Sequence, residues 1–380
     1  MSRRPPPARD ATITGEPRRI VVGLNAVIVT VRDDEARVLT VDTAGPAPDA
    51  ELNTLPSGPF DPAADRTLEL GLRSWVRRQT GRDLGYVEQL YTFGDAGRDP
   101  REHAGGPRML SIAYLALAQD LPAEAAGGRW VSCYRFLPWE DWRAGMPSVL
   151  AEIGAALDGW AAKGRGAERE RRAERIAICF GRSGAGWDGY RVLERYELLY
   201  EAGLTLESWR DRDRVPARKN PVFGTAMAFD HRRMLATALA RLRGKLRYRP
   251  LVFELTEEQF TLARLQRVVE ALAGLRLHKQ NFRRLVESGG LVEKTGRIET
   301  RTGGRPAELF RFQFQGTCVK LGHQVTDDGV RQFVKAFQLS NKVRLCFKPN
   351  QHIVAFRVFF YFIGKFASAP DLRAHDSTTI

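Results

Sequence analysis

An α+β fold is predicted, a sandwich of helices and strands followed by a smaller helix-and-hairpin unit. Three observations predict it. Two β-branched runs flank a polar turn at Asp33 to Glu35. A helix of about four turns lies between a Pro/Gly-punctuated loop and further strands. Two short helices near residue 270 are joined by a Gly-containing turn and followed by a hairpin pattern. At 380 residues the chain can bury two cores.

The elements follow in order. Residues 1–17, "MSRRPPPARDATITGEP", carry arginine and proline without an apolar h-region and are expected to be a disordered leader. "RRIVVGLNAVIVTVRDDEARVLTVDT" reads as strand, turn, strand. "ELNTLPSGPFDP" reads as a loop whose Gly and Ser make a turn, and "RTLELGLRSWVRRQTG" as a helix stopped by Gly81. "YVEQLYTFGD" and "PRMLSIAYLALA" return to strand. Residues 136–229 are expected to form a helical insertion. Within it Leu193, Tyr196, Leu199 and Tyr200 mark an amphipathic helix, and "KGRGAERERRAER" is a solvated helix face or a linker.

A basic connecting helix is predicted over 230–247. In residues 248–312, Thr256 with Gln259 makes a capping-box pattern, and Thr261 caps a helix with Leu262, Leu265, Val268, Val269 and Leu272 on one face. "AGLRL" is a turn. "HKQNFRRLVES" buries Phe282, Leu285 and Val286 and ends at Gly289 and Gly290. "LVEKTGRIETRTGGRPAELFRF" makes two strands around a tip bearing Arg301 and Arg305. Helix, turn, helix and hairpin form a winged helix-turn-helix, whose second helix enters a major groove. The other face of that helix carries Gln280, Arg283 and Arg284, flanked by Lys279 and Asn281. Gln and Asn can read adenine; Arg reads guanine or phosphate. Winged helices also serve as protein-binding modules, so the fold alone leaves both readings open.

Charge points the same way. The chain has 59 Lys+Arg against 45 Asp+Glu, a formal +14, and a pI near 10.0. This favours a polyanionic partner, although an arginine-rich proteome gives a similar balance. Residues 241–312 alone hold 16 Lys+Arg against 8 Asp+Glu. Cys133, Cys179, Cys318 and Cys346 show no CxxC spacing, so neither a zinc site nor a disulfide scaffold is indicated, and a cytoplasmic location fits. His103, His231 and His278 are isolated and expected to be structural or exposed. No membrane span and no cofactor is called for.

With "LPSGPF" before its helix and "EQLYTFGDAGRDPR" after it, the region from about Ile20 to Pro138 resembles the Nudix hydrolases. The resemblance implies a Nudix-like α/β/α sandwich over 18–135. That family's signature helix places glutamates on Mg²⁺ that bridges a diphosphate. Registered back from Gly81, the signature arginine falls on Ser74, the first glutamate on Trp75, the apolar position on Val76, and the last two glutamates on Arg78 and Gln79. No chelating acid is left, and an arginine repels Mg²⁺. Rescue by Glu69 or Glu88 is not expected.

Taken together, "YTFGD", "RDPR", "FDHRRMLATALARLR", "FELTEEQFTLARLQ", "KQNFRR" and "GRPAELFRF" look like the Nudix-related transcriptional regulators of NAD metabolism, the NrtR family. The resemblance implies a dimeric repressor that binds double-stranded DNA and senses an NAD-related nucleotide such as ADP-ribose. The runner-up is a divergent metal-dependent Nudix pyrophosphohydrolase. In "TFGDAGRDPR", Phe93, Arg98, Asp99 and Arg101 are candidate ligand contacts, arginine being suited to bidentate phosphate binding; a tight turn with charges facing water is the alternative. The long insertion departs from smaller members of the family.

Residues 313–380 differ in texture. Five lysines occur in the first 312 residues and five in the last 68, which also hold nine of the 20 Phe and no Glu. This divergent tail is expected to be of different origin and dispensable for DNA binding.

Overall fold

In a computed structural model, the described residues are 19–41, 52–97, 99, 102, 105–119, 128–216, 221–246, 251–288, 291–300 and 306–313. The leader 1–17 and the tail beyond Gln313 lie outside them.

Strand β1 (Ile20–Arg32) and strand β2 (Glu35–Val41) form an antiparallel hairpin. Asp33 and Asp34 close it at φ 51° and 59°, a two-residue turn with both residues left-handed, which matches the twist of the strands. Strand β3 (Ser57–Pro59) pairs with β1, so the segment expected to be a turn is a short strand. Helix α1 (Leu68–Thr80) begins at Thr67, whose hydroxyl accepts from the Leu70 amide at 3.2 Å. It stops at Gly81 in the left-handed conformation, φ 65°. Strands β4 (Val87–Phe93), β5 (Arg108–Leu117) and β6 (Gly128–Ser132) complete a sheet ordered β4-β5-β1-β2-β6, with β1 and β5 parallel.

Alternation along β1 sends side chains to two cores. Leu24, Ala26 and Ile28 meet Leu72 and Val76 of α1 on one face. Val27, Val29 and Val31 face a larger core on the other. The second layer comes from the later helices, so this is a sandwich of helices on a mixed sheet in an α+β chain.

The segment after β6 is mainly helical. Helix α2 (Cys133–Phe136) and a 3₁₀ turn (Pro138–Glu140) lead to helices α3 (Val149–Ala162), α4 (Ala167–Phe180), α5 (Val192–Glu201) and α6 (Leu206–Arg210). The charged run starting at Lys163 enters α4, whose buried residues are Ile176 and Cys179. On α5, Tyr196 and Leu199 are fully buried. Cys133 and Cys179 are free thiols, and burial pushes the Cys133 thiol up to about 12. Cys318 and Cys346 lie outside the described residues.

Helix α7 (His231–Lys245) sits in the larger core, with Met234, Leu235, Leu239 and Leu242 at 1% exposure or less. Its cations were legible as a basic helix, yet Arg232, Arg243 and Lys245 are buried. Next come a 3₁₀ turn (Leu251–Leu255), strand β7 (Gln259–Thr261), helices α8 (Leu262–Ala273) and α9 (Lys279–Ser288), and strands β8 (Val292–Glu299) and β9 (Ala307–Phe312). Thr261 caps α8 as expected, accepting from Arg264 at 3.1 Å. The Thr256–Gln259 capping box does not form: Thr256 bonds back to the Phe253 carbonyl, and Gln259 pairs with Arg311 in the sheet. The 259–261 segment is taken up by its antiparallel pairing with β9, so the helix starts after it.

Candidate nucleic-acid interface and degenerate Nudix helix

Helix α9 is amphipathic by construction. Phe282 and Val286 are buried and Leu285 half-buried, while Lys279, Gln280, Arg283 and Arg284 are exposed and Asn281 half-buried. The preceding turn is held from α8. Glu270, buried, accepts from the Leu277 amide at 2.9 Å and pairs with Arg276 at 2.9 Å, while Gln266 donates to the Leu277 carbonyl at 2.9 Å. These bonds fix the angle at which α9 leaves the turn, so its polar face is carried by a rigid base. In the wing, β8 and β9 pair with a register shift between Lys294 and Ile298, where Gly296 has φ 73°. Arg297 is exposed and Ile298 is 63% exposed there; the sequence reading singled out neither. Arg301 and Arg305 at the tip lie outside the described residues, as do Gly289 and Gly290.

The winged unit is fastened to the sandwich. Asp34, at the β1–β2 turn, accepts from Arg267 at 2.8 Å and Arg264 at 3.4 Å, and Arg264 also reaches the Val31 carbonyl at 3.3 Å. Arg143 of the insertion donates to the Asp34 carbonyl. Behind this contact lies a buried cluster. Glu140, fully buried, takes Arg195 in a two-bond fork at 2.6 and 2.9 Å and Arg243 at 2.6 Å. Burial opposes ionisation of Glu140, but the two guanidinium groups outweigh it and hold the carboxyl below its ordinary value.

On the sandwich, α1 carries the degenerate signature. Ser74 and Arg78 are exposed, Trp75 and Gln79 half-buried. Trp75 donates from Nε1 to the Pro59 carbonyl at 2.8 Å, and its indole lies against Gly58 so closely that a methyl group there would enter the ring. Gln79 accepts from the Ser57 amide and donates to the Ser57 carbonyl, both at 2.9 Å. Two positions that would hold metal-binding acids therefore pin β3 to the helix. Arg78 lies over the Trp75 ring, 3.9 Å from guanidinium carbon to centroid. Glu69 pairs with Arg73 at 2.8 Å, and Glu88 is engaged by Lys245 and by the Tyr86 hydroxyl at 2.7 Å. Among the described residues no cluster of three or more His, Cys, Asp or Glu is placed to hold a metal ion. The donor set of this helix does not fit a divalent cation, which needs anionic oxygen ligands.

The loop after β4 is only partly described. Phe93 is 4% exposed, with Arg233 over its ring at 5.2 Å, and Asp99 is buried. Arg98, Arg101 and His103 lie outside the described residues. Arg233 ties this loop to the insertion, pairing with Asp95 at 2.5 Å, Asp230 at 3.3 Å and Glu197. His231 is structural: its Nδ1 accepts from the Leu55 amide at 3.0 Å, which leaves the proton on Nε2, 3.2 Å from Asn25 Oδ1. His278 is exposed. No helix of the described residues is long and apolar enough to cross a membrane.

Residues 252–312 match the model of the NrtR DNA-binding winged helix domain. The chain is 43% identical over 89 residues to the "ADPR responsive transcriptional repressor NtrR" of Acinetobacter baylyi, a stretch that is 23% of this chain and 35% of that relative. The chain thus spans about a third of the length of that curated relative. Among solved structures it is similar to Shewanella oneidensis NrtR complexed with a 27mer DNA, at 23% identity and TM-score 0.46 over 77% of this chain and 93% of that one. It is also similar to the Nudix domain of the same protein complexed with ADP ribose, at 25% identity and TM-score 0.27 over 31% and 79%. Behind the sandwich, then, residues 252–312 of the chain are similar to the NrtR DNA-binding winged helix domain.

Proposed function

We propose that this protein is a DNA-binding transcriptional repressor whose sandwich senses an NAD-related nucleotide, ADP-ribose being the first candidate, without catalysis. One observation carries the reading. An NrtR-type winged helix presents Lys279, Gln280, Arg283 and Arg284 together on the exposed face of α9. A protein-docking winged helix has no need of that set, whereas a major groove lined with phosphates and base edges does. In this reading Arg283 and Arg284 contact guanine or phosphate, Gln280 and the half-buried Asn281 read adenine, and Lys279 contacts phosphate. Arg301 and Arg305 of the wing meet the backbone or a minor groove. The 43% identical relative is named as an ADPR-responsive repressor, which favours a nucleotide effector. Arg98, Asp99 and Arg101 are the proposed ligand contacts, with Phe93 as the packed base of their loop. A homodimer in the cytoplasm, reading two half-sites, completes the proposal.

Selection of duplexes from a random-sequence pool, followed by anisotropy titration of the winner, tests the reading. A sequence preference that ADP-ribose shifts supports it. Equal binding of all duplexes, unchanged by the nucleotide, overturns it.

A further inference from the structure

We infer that Arg78 is an anion-binding residue that takes the place of the catalytic cation, so that the sandwich binds a diphosphate-bearing nucleotide without any metal. The inference rests on the reading of the sandwich as a nucleotide sensor and goes further by naming the group that would neutralise the diphosphate.

Arg78 occupies the register position of a chelating glutamate in the signature helix. Replacing that acid with an arginine changes the local charge from a cation trap to a cation. Neighbouring arginines show what an ordinary surface arginine does on this helix: Arg73 pairs with Glu69 at 2.8 Å, and Arg77 lies 3.6 Å from Asp83. Arg78 has no carboxylate partner among the described residues. Its only hydrogen bond there runs from Nε to the Ser74 carbonyl at 3.4 Å, which leaves the two terminal amino groups available for a bidentate phosphate contact.

A second observation separates Arg78 from a solvated side chain. The indole beneath it, 3.9 Å away, is itself immobilised by its bond to the Pro59 carbonyl and by Gly58. Stacking on a fixed ring holds the guanidinium at the surface in one orientation, lowering the entropy lost when a phosphate binds. A magnesium ion at this place would need acids at 75, 78 and 79. The chain instead uses Trp75 as a plate, Gln79 as a clamp on Ser57, and Arg78 as the charge. A diphosphate held this way meets a cation that cannot polarise phosphorus or lower the pKa of a water as a divalent metal does.

Titration calorimetry with ADP-ribose tests the inference, on the full chain, in EDTA and again with excess Mg²⁺. The expected result is equal affinity in both buffers, a loss of about tenfold or more for Arg78→Ala, as for removal of one charge-assisted hydrogen bond, and a smaller loss for Arg78→Lys. Arg171→Ala, an exposed arginine on α4, is expected to bind like wild type. Wild-type binding that needs Mg²⁺, or an unchanged affinity in Arg78→Ala, overturns the inference while leaving the sensor reading intact. No binding by the wild-type chain in either buffer overturns both. Because Arg78 is exposed, circular dichroism of the variant is expected to match wild type.

Discussion

Arg243, near the end of the connecting helix, donates to the carboxylate of Glu140 at 2.6 Å with both side chains buried. The same guanidinium donates to the Leu272 carbonyl at 3.2 Å, in the last turn of α8. Gly274, the αL residue that ends α8 at φ 72°, lies so close that an added Cβ would strike the Glu140 carbonyl. Insertion, connecting helix and winged helix therefore share one buried charge cluster.

Removing the acid from that cluster strands two buried cations. Glu140→Ala is expected to cost about 3 to 5 kcal/mol, the range for breaking a buried ion pair from one side. Urea denaturation measures it. A loss under about 1 kcal/mol, typical of an exposed pair, would show that water reaches the cluster.

The lowered pKa of Glu140 fixes a pH dependence. Its native carboxyl titrates below its ordinary value of 4.5, so its stabilisation is complete above 4.5 and fades as pH falls through the native value. In Glu140→Gln that contribution is absent. The stability gap between wild type and Glu140→Gln is expected to be full at pH 7 and to narrow below pH 4.5. A gap that widens with acid contradicts the assignment.

On DNA, Arg284→Ala is expected to cost about 1 to 3 kcal/mol and to relax sequence preference. Arg297→Ala in the wing is expected to weaken all duplexes alike and to flatten the salt dependence. Arg171→Ala serves as the charge control. If it gives the same losses as Arg284→Ala, bulk charge and not helix α9 governs binding.

Restoring glutamates at 75, 78 and 79 together is expected to destabilise the chain rather than create an enzyme. The change removes the Trp75 bond to Pro59 and the bond Gln79 donates to the Ser57 carbonyl, each worth roughly 0.5 to 1.5 kcal/mol, and sets a carboxylate oxygen against that carbonyl. Thermal melting with and without Mg²⁺ reports this. A melting point raised above wild type by Mg²⁺ would mean the acid-binding geometry survives.

Much of this was legible in the sequence because local chemistry dictates it. The Asp33–Asp34 turn, the Thr67 to Gly81 limits of α1, the Thr261 cap and the Phe282/Val286 face all follow from residues a few positions apart. What was not legible depends on distance along the chain. Glu140, Arg195 and Arg243 are separated by 55 and 103 positions in their hydrogen bonds, and nothing local marks them as partners. Arg232, Arg233 and Lys245 read only as part of a basic helix, because a periodicity argument cannot foresee acids arriving from Glu207, Glu197 and Glu88. The strand at Ser57–Pro59 was hidden for a similar reason: its pairing partner is β1, and its clamp is Gln79.

In the proposed function, a sandwich without catalysis governs a DNA-reading helix. The most direct test is one titration, in EDTA, of the full chain on its selected duplex with increasing ADP-ribose, with the nucleotide recovered and analysed at the end. The expected result is a saturable change in DNA affinity and ADP-ribose returned intact. DNA affinity indifferent to the nucleotide, or hydrolysed ADP-ribose in a parallel sample with Mg²⁺ at a turnover within the ordinary enzymatic range of ~1 to 10³ s⁻¹, would contradict it.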